Sequence, residues 1–255
     1  MQMTAAAPRW KLALEKALAA FPKATGAPDD GRGRRRDDVL LTVVQFASVD
    51  ATELLPHVRS LIFRGFVCPS GDAGQPVVLA TTDARSPKTT QLIANPHVQI
   101  AWWIEGAQEQ YRIAGTARVV PAPSNALYWN FVHGLAEAEG EARYDWEAKR
   151  VETWRAMSPY MKASWCRPAP GLRLADVGGK EEAKRWPEEV HDPKEAKPEE
   201  REEKERLWVM SLENFALVLI EPTEVDRVEL APVPNVRTRY WKDGEGVWRD
   251  EELVP

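Results

Sequence analysis

Residues 98–120 read VQIAWWIEGAQEQYRIAGTARVV. Val98 to Ile104 and Gln110 to Val120 are two strand-like runs, and Glu105-Gly106 supplies the turn between them. The same cadence continues on both sides. Upstream, Val39 to Val49 is rich in β-branched and apolar residues, His57 to Val67 forms a second run and Pro76 to Thr81 a third, with Gly71 and Gly74 marking a turn. Downstream, Asn214 to Ile220 and Val225 to Leu230 read as two more strands. Arg237 to Trp241 and Val247 to Arg249 read as a last hairpin around Lys242-Asp243-Gly244-Glu245-Gly246. Short strands at this spacing predict a closed antiparallel sheet, that is, a barrel.

The segments between the strands are helical or charged. Trp10, Leu14, Leu18 and Phe21 follow a helical period that Pro22 ends, and Ala24 to Asp38 is a Gly/Pro/Arg/Asp-rich stretch expected to be mobile. Its cluster Arg32, Arg34, Arg35 and Arg36 reads as a solvated loop. Ser86 to Ala94 is a short helix, and Ser124 to Glu137 and Tyr144 to Met157 are two longer ones, followed by a Pro-rich loop at Ser164 to Gly171. Lys180 to Arg206 is dense in Glu, Lys and Arg and is broken by Pro187, Pro193 and Pro198. It is expected to be a solvated insertion, helical at Glu199 to Arg206 and otherwise disordered. The implied organisation is an N-terminal helix and loop over residues 1–38, then one mainly-β (α+β) domain with flanking helices over 39–255, carrying a charged insertion at about 178–206.

Composition narrows the function. The chain has 255 residues and a net charge of −5, which argues against a nucleic-acid-binding surface. The longest apolar run, Phe215 to Ile220, is strand length, far short of the ~20 residues a membrane helix requires. Met1 to Pro8 lacks the basic start and apolar centre of a secretion signal, so a soluble, cytoplasmic protein is expected. Cys68 and Cys166 give neither metal spacing nor a disulfide framework, and are expected as thiols in a reducing compartment. His57, His97, His133 and His191 are scattered, none four residues from another, so no metal site is expected. Neither a Gly-x-Gly-x-x-Gly nor a Walker motif occurs, and a serine nucleophile elbow is absent.

The segment richest in chemistry is Thr81-Thr82-Asp83-Ala84-Arg85-Ser86-Pro87-Lys88. It leaves a strand and opens a helix, with Ser86 suited to the N-cap and Pro87 to the first helical position. A helix start offers unpaired N–H groups and the positive end of a dipole. Arg85 and Lys88 add cations there, and Thr81, Thr82 and Ser86 add hydroxyls, which together describe a phosphate site. The alternative is a capped helix with surface cations. A second element is His57 to Phe66, in which Arg59 and Arg64 bracket an apolar strand. A separation of five puts them on opposite faces of a regular strand, so either a bulge re-aims one of them or only one meets the ligand. A third is Glu109-Gln110-Tyr111-Arg112-Ile113-Ala114-Gly115, where Gln110 can hydrogen-bond the edge of a flat heterocycle and Gly115 permits close packing or a bulge.

"VRSLIFRGF", "TTDARSPKTTQL" and "EQYRIAG", in that order, resemble the cofactor strand, phosphate loop and glutamine strand of the pyridoxamine-phosphate-oxidase-like FMN-binding split barrels, specifically the Alr-type subgroup of plants, fungi and cyanobacteria. "WCRPAPG" (Trp165 to Gly171), "VDRVEL" (Val225 to Leu230) and the closing "RTRYW" extend the likeness over roughly Val39 to Pro255, apart from the charged insertion. The resemblance implies an antiparallel split β-barrel of the FMN-binding type and FMN as cofactor. It implies contacts to FMN from Arg59, Ser60, Leu61, Arg64, Thr81, Thr82, Ser86, Lys88, Gln110 and Arg237, the last across a homodimer interface. Pro87 replaces an arginine of the family's Ser-Arg-Lys motif, and Arg85 is expected to supply that charge. Pro232 to Val236 lacks the Arg-x-His pair that holds the vitamin substrate in the true oxidases, and the tryptophan expected near Val225 is missing. The implied function is therefore an FMN-dependent oxidoreductase on an unidentified small molecule, with no catalytic residue assigned. The alternatives are a pyridoxamine/pyridoxine phosphate oxidase and a flavin-binding protein without turnover.

Overall fold

The structure is a computed structural model that describes residues 7–20, 43–69, 75–130 and 144–255. Eight strands are present among them: β1 (Val43–Val49), β2 (Pro56–Val67), β3 (Val77–Asp83), β4 (His97–Ile104), β5 (Glu109–Val120), β6 (Phe215–Glu229), β7 (Val236–Lys242) and β8 (Trp248–Leu253). They form one antiparallel sheet in the order β3-β2-β1-β4-β5-β6-β7-β8, and β3 also pairs with β6. The first six strands therefore close into a barrel, while β7 and β8 continue from β6 as an extension. The mainly-β barrel with flanking helices expected from the strand cadence is what the chain forms.

Alternation puts one side of every barrel strand into a common core. β4 shows it most plainly: Val98, Ile100, Trp102 and Ile104 are buried while the intervening residues are exposed. Phe46, Ile100, Ile113 and Val225 lie in one cross-strand row and are all fully buried. One end of this interior is plugged by α1 (Arg9–Ala19), whose Trp10, Leu14 and Ala17 join the same core and whose Trp10 ring packs against Phe66 and Trp248. At the other end lies α2 (Pro87–Ala94), with Leu92 in the core and Gln91 buried beneath it.

A second apolar layer covers the outside of β3 and β6. Leu79, Leu217, Leu219 and Phe215 meet Trp154 of α3 (Trp146–Arg155) and Met157 and Trp165, which flank α4 (Pro159–Ser164). Trp208 and Leu212 of a later helix (Arg201–Asn214) close the layer. Arg150 is fully buried there. Its Nη1 donates to the carbonyls of Leu212 and Phe215 at 2.5 and 3.0 Å, and its other nitrogens hold Glu147.

Two expectations are corrected. The strands assigned to Asn214–Ile220 and Val225–Leu230 are one 15-residue strand, β6. Pro222 survives inside it because the register shifts beside it: Gly115 faces Pro222, and the step between Ala114 and Gly115 skips a residue of β6. A Cβ on Gly115 would stand 2.2 Å from the Glu221 carbonyl oxygen, so the close approach requires glycine. The charged insertion carries more elements than the one helix expected of it. Gly179–Ala183 is a short helix, Pro193–Glu195 and Pro198–Glu200 are single 3-10 turns, and the helix expected at Glu199–Arg206 extends to Asn214. Val190 and Ala196 are buried, and the Val190 N–H donates to the Pro159 carbonyl, so two apolar anchors fix a segment whose charges stay in water. The basic cluster at residues 32–36, the later part of the helix expected over 124–137 and His133 lie outside the described residues. No described helix is long and apolar enough to cross a membrane.

Candidate functional site

The question left open by Arg59 and Arg64 is answered by a bulge. Phe63 faces Ala80 and Gly65 faces Leu79, so Arg64 is the extra residue of β2, and Gly65 takes φ +125° beside it. Arg59 lies opposite Phe46, in the row that continues into the barrel interior, with its guanidinium 5.7 Å from the Phe46 ring. Its Nη1 donates to Ser48 Oγ at 2.7 Å and to the His57 carbonyl at 3.0 Å, and its Nη2 donates to Gln91 Oε1 at 2.8 Å. Ser48 Oγ also donates to Gln91 Oε1 at 2.9 Å.

The loop from β3 into α2 brings a second cation to the same end. Thr82 faces Ala216, on the same side of β3 as the core residue Ala80. Lys88 Nζ donates to Thr82 Oγ1 at 2.7 Å and to Ser86 Oγ at 3.1 Å. Ser86 holds the N-cap position with extended backbone and Pro87 follows at the first helical position, but the Ser86 hydroxyl does not cap a helix N–H. It lies 3.2 Å from Thr82 Oγ1 and 3.4 Å from Thr89 Oγ1, turned to the lysine instead.

The electrostatics of this corner are unbalanced. Burial, and then the charge of Arg59, push the Lys88 ammonium down to about 8, against an opposing pull from Asp83. Burial also lowers Arg59 from its ordinary value. The hydrogen-bond partners of both cations are hydroxyls, an amide and a carbonyl. Among the described residues, no carboxylate forms an ion pair with either. Two cations whose charges act on each other while resting on neutral acceptors are suited to an anion.

The remaining residues named from the sequence are distributed elsewhere. Arg85 does not join the corner. Its Nε and Nη2 clasp Asp83 at 3.0 and 2.7 Å, and Nη2 also donates to the carbonyls of Arg167 and Trp165 at 2.9 and 3.3 Å. Arg64 Nε donates to Thr81 Oγ1 at 3.4 Å, and Thr81 faces Leu217, on the side of β3 opposite to Thr82. Leu61 is part of the barrel core. Ser60 lies on the outer face opposite Gln45, to whose Oε1 it donates at 3.3 Å. Gln110, Val228 and Arg237 form one cross-strand row on that outer face. Arg237 clasps Asp226 at 3.1 and 2.7 Å, and Arg112 donates to the same carboxylate at 2.6 Å. Burial pulls the Asp226 carboxyl up, but the two arginines outweigh it and hold it below the usual range.

Sequence reasoning missed Ser48, Gln91 and Asp83. Gln91 carried a signal, since it lies three residues from Lys88 on the helix and so shares its face. Ser48 carried none, because its contact with Arg59 depends on strand register.

Residues 8–121 match the family model for the pyridoxamine 5'-phosphate oxidase, FMN-binding domain. The family that this segment matches is an FMN-binding domain, which supports FMN as the cofactor. The FMN-binding domain so matched runs from α1 through β5 and contains Arg59, Thr82, Ser86, Lys88 and Gln110, whereas Asp226 and Arg237 lie beyond it. Its donor set fits FMN: the phosphate is a dianion near neutral pH, and the α2 end of the barrel offers two cations without a carboxylate partner among the described residues, together with the hydroxyls of Thr82 and Ser86. Among the solved structures that share the fold are two that cover most of both chains. One is a pyridoxamine 5'-phosphate oxidase-related, FMN binding protein from Nostoc punctiforme, at 24% identity and a TM-score of 0.66, covering 100% of both chains. The other is PhzG from Burkholderia lata in complex with tetrahydrophenazine-1-carboxylic acid, at 15% identity and a TM-score of 0.52, covering 85% of this chain and 83% of that one. A search of curated protein sequences found no match.

Proposed function

We propose that the chain is an FMN-dependent oxidoreductase acting on a small molecule, with the FMN phosphate held by Arg59, Lys88, Thr82 and Ser86. The observation that carries this reading is the Arg59–Lys88 pair, two partly buried cations whose described partners are all neutral. Holding like charges together costs free energy in the empty protein, and a dianion between them converts that cost into binding energy. Arg64 and Thr81, which meet on the side of β3 opposite to Thr82, are assigned to further contacts with the cofactor. On the outer face Ser60, Gln110 and Arg237 are assigned to the flavin ring and its substituents, Gln110 through its side-chain amide. Arg237 is assigned to the flavin of a second subunit, in a homodimer with one FMN in each cleft between subunits. Arg85 is not given a phosphate contact.

Bound FMN supplies the redox chemistry at its ring, so the chain has to bind it, orient it and keep its phosphate desolvated. Pro232 to Val236 offers no Arg-x-His pair for a pyridoxamine phosphate substrate, which favours a different small molecule. Within the family the motifs favour the Alr-type subgroup, and the two free thiols, Cys68 and Cys166, favour the cytoplasm. The test is the absorbance spectrum of the purified protein, with mass identification of whatever is released on denaturation. Flavin bands and the mass of FMN are expected, and the loaded protein should form no pyridoxal phosphate from pyridoxamine phosphate. A colourless protein that stays colourless after FMN is added and the excess removed would contradict the proposal.

A further inference from the structure

Asp83 ends β3 and is flanked by Thr82, which accepts from Lys88, and by the loop that leads into α2. Its carboxylate is buried, and its charge reaches the Lys88 ammonium. A buried negative charge in that place attracts Lys88 but repels any dianion that Lys88 and Arg59 would bind.

Arg85 occupies both oxygens of this carboxylate. The side chains meet as a fork, Nε to Oδ1 at 3.0 Å and Nη2 to Oδ2 at 2.7 Å, and the Arg85 backbone N–H also donates to Oδ1 at 2.8 Å. Its Nη2 reaches the carbonyls of Arg167 and Trp165 as well. The same loop is tied back by the Trp165 indole N–H, which donates to the Thr82 carbonyl at 3.2 Å, and by Asn214 Nδ2, which donates to the Trp165 carbonyl at 2.8 Å. Nε and Nη2 of the guanidinium are therefore taken by acceptors belonging to the protein, whereas Lys88, three residues later, meets neutral hydroxyls.

We propose that Arg85 is a positioning residue that cancels the Asp83 carboxylate, so that the α2 end of the barrel stays net cationic toward the FMN phosphate, and that it is not itself a phosphate ligand. This rests on the reading that Arg59 and Lys88 hold that phosphate. It separates two roles within the DARSPK segment: Lys88 faces the anion, and Arg85 silences the one carboxylate, among the described residues, whose charge acts on Lys88.

The test is FMN affinity, read from the quenching of flavin fluorescence, for wild type, Arg85→Met, Asp83→Asn and the double variant. Arg85→Met leaves Asp83 unopposed and should weaken FMN by about thirtyfold. It should also move the pH at which affinity begins to fall above its wild-type position, because the freed carboxylate holds the proton on Lys88. The double variant should recover to within about threefold of wild type, since the two deleted charges oppose each other. Asp83→Asn alone should bind FMN as well as wild type or more tightly. A phosphate-ligating Arg85 would leave the double variant as weak as Arg85→Met, and a merely structural pair would leave it no better and would weaken Asp83→Asn too. Either result overturns the proposal, as does Arg85→Met with unchanged affinity. If Arg85→Met fails to fold, Asp83→Asn decides alone: affinity at or above wild type supports the proposal, and any weakening beyond about threefold overturns it. A wild-type chain that binds no FMN would instead overturn the reading of the site.

Discussion

Two groups of arginines and lysines on this barrel look alike in sequence and differ in what surrounds them. On the outer face, Arg112 and Arg237 share Asp226, Arg118 meets Glu221, and Arg239 meets Glu224. On the inner row, the Arg227 fork holds Glu109 at 2.8 Å through both nitrogens, and Tyr111 donates to the same carboxylate. Every one of these cations has its counter-charge on the neighbouring strand. At the α2 end, Arg59 and Lys88 have hydroxyl, amide and carbonyl partners, and the charge of Arg59 acts on Lys88. The difference shows in proton affinity. Arg227 is held above its ordinary value because Glu109, Tyr111 and Glu229 together overcome the effect of burial, whereas Lys88 is pushed down. The first arrangement has its counter-charges within the chain and stabilises the sheet, while the second is the one we propose an anion completes.

The contrast can be broken at its paired side first. Arg227→Met leaves Glu109 without its fork in a largely buried place, and should lower unfolding free energy by about 3 kcal/mol in a denaturant titration. FMN affinity at a temperature where the variant is folded should stay within about threefold of wild type, because the paired network lies away from the α2 end. A variant of full stability, or one with a selective loss of FMN, would erase the distinction.

A pH series sharpens it. Lys88 in the empty protein titrates near 8, below an unfolded lysine. Between that value and the ordinary lysine range the unfolded chain holds more protons, so this group makes stability rise with pH across that window. The proposed phosphate contact requires the charged ammonium, so FMN affinity should be level from about pH 7 to 8 and then fall by up to about tenfold per unit. Lys88→Met should bind more weakly and show no such fall. A wild-type profile flat to pH 9.5 would place Lys88 outside the anion site.

The smallest effect belongs to the outer face. Arg112 is more than a third exposed, and Asp226 keeps Arg237, so Arg112→Gln should change stability by no more than about 0.5 kcal/mol in thermal or chemical unfolding. A loss several times larger would mean that the outer-face pairs are not the interchangeable surface pairs their exposure suggests.

Much of this was legible in the sequence because it is local. The strand cadence, the turn at Glu105-Gly106 and the strand–loop–helix unit at Thr81 to Ala94 each depend on neighbours a few residues apart, and the barrel and its phosphate-like loop follow from them. Parity alone showed that Arg59 and Arg64 cannot share a regular strand face, and the bulge at Arg64 resolved it. What the sequence hid is long-range. Pro222 reads as a strand end until Gly115, more than a hundred residues earlier, is seen opposite it. Arg85 reads as a free cation until the carbonyls of Trp165 and Arg167 arrive from a distant loop. The charged insertion reads as disordered because Val190 and Ala196 are too few to give a period, yet two anchors suffice when a helical layer is already in place.

The most direct measurement is an FMN titration of wild type against Arg59→Met/Lys88→Met, with thermal unfolding of both empty proteins alongside. Removing both cations should weaken FMN by about a hundredfold while leaving the melting temperature unchanged or higher, since their repulsion goes with them. Unchanged FMN affinity in a folded double variant would contradict the central claim that these two charges are kept apart from carboxylates in order to hold the phosphate.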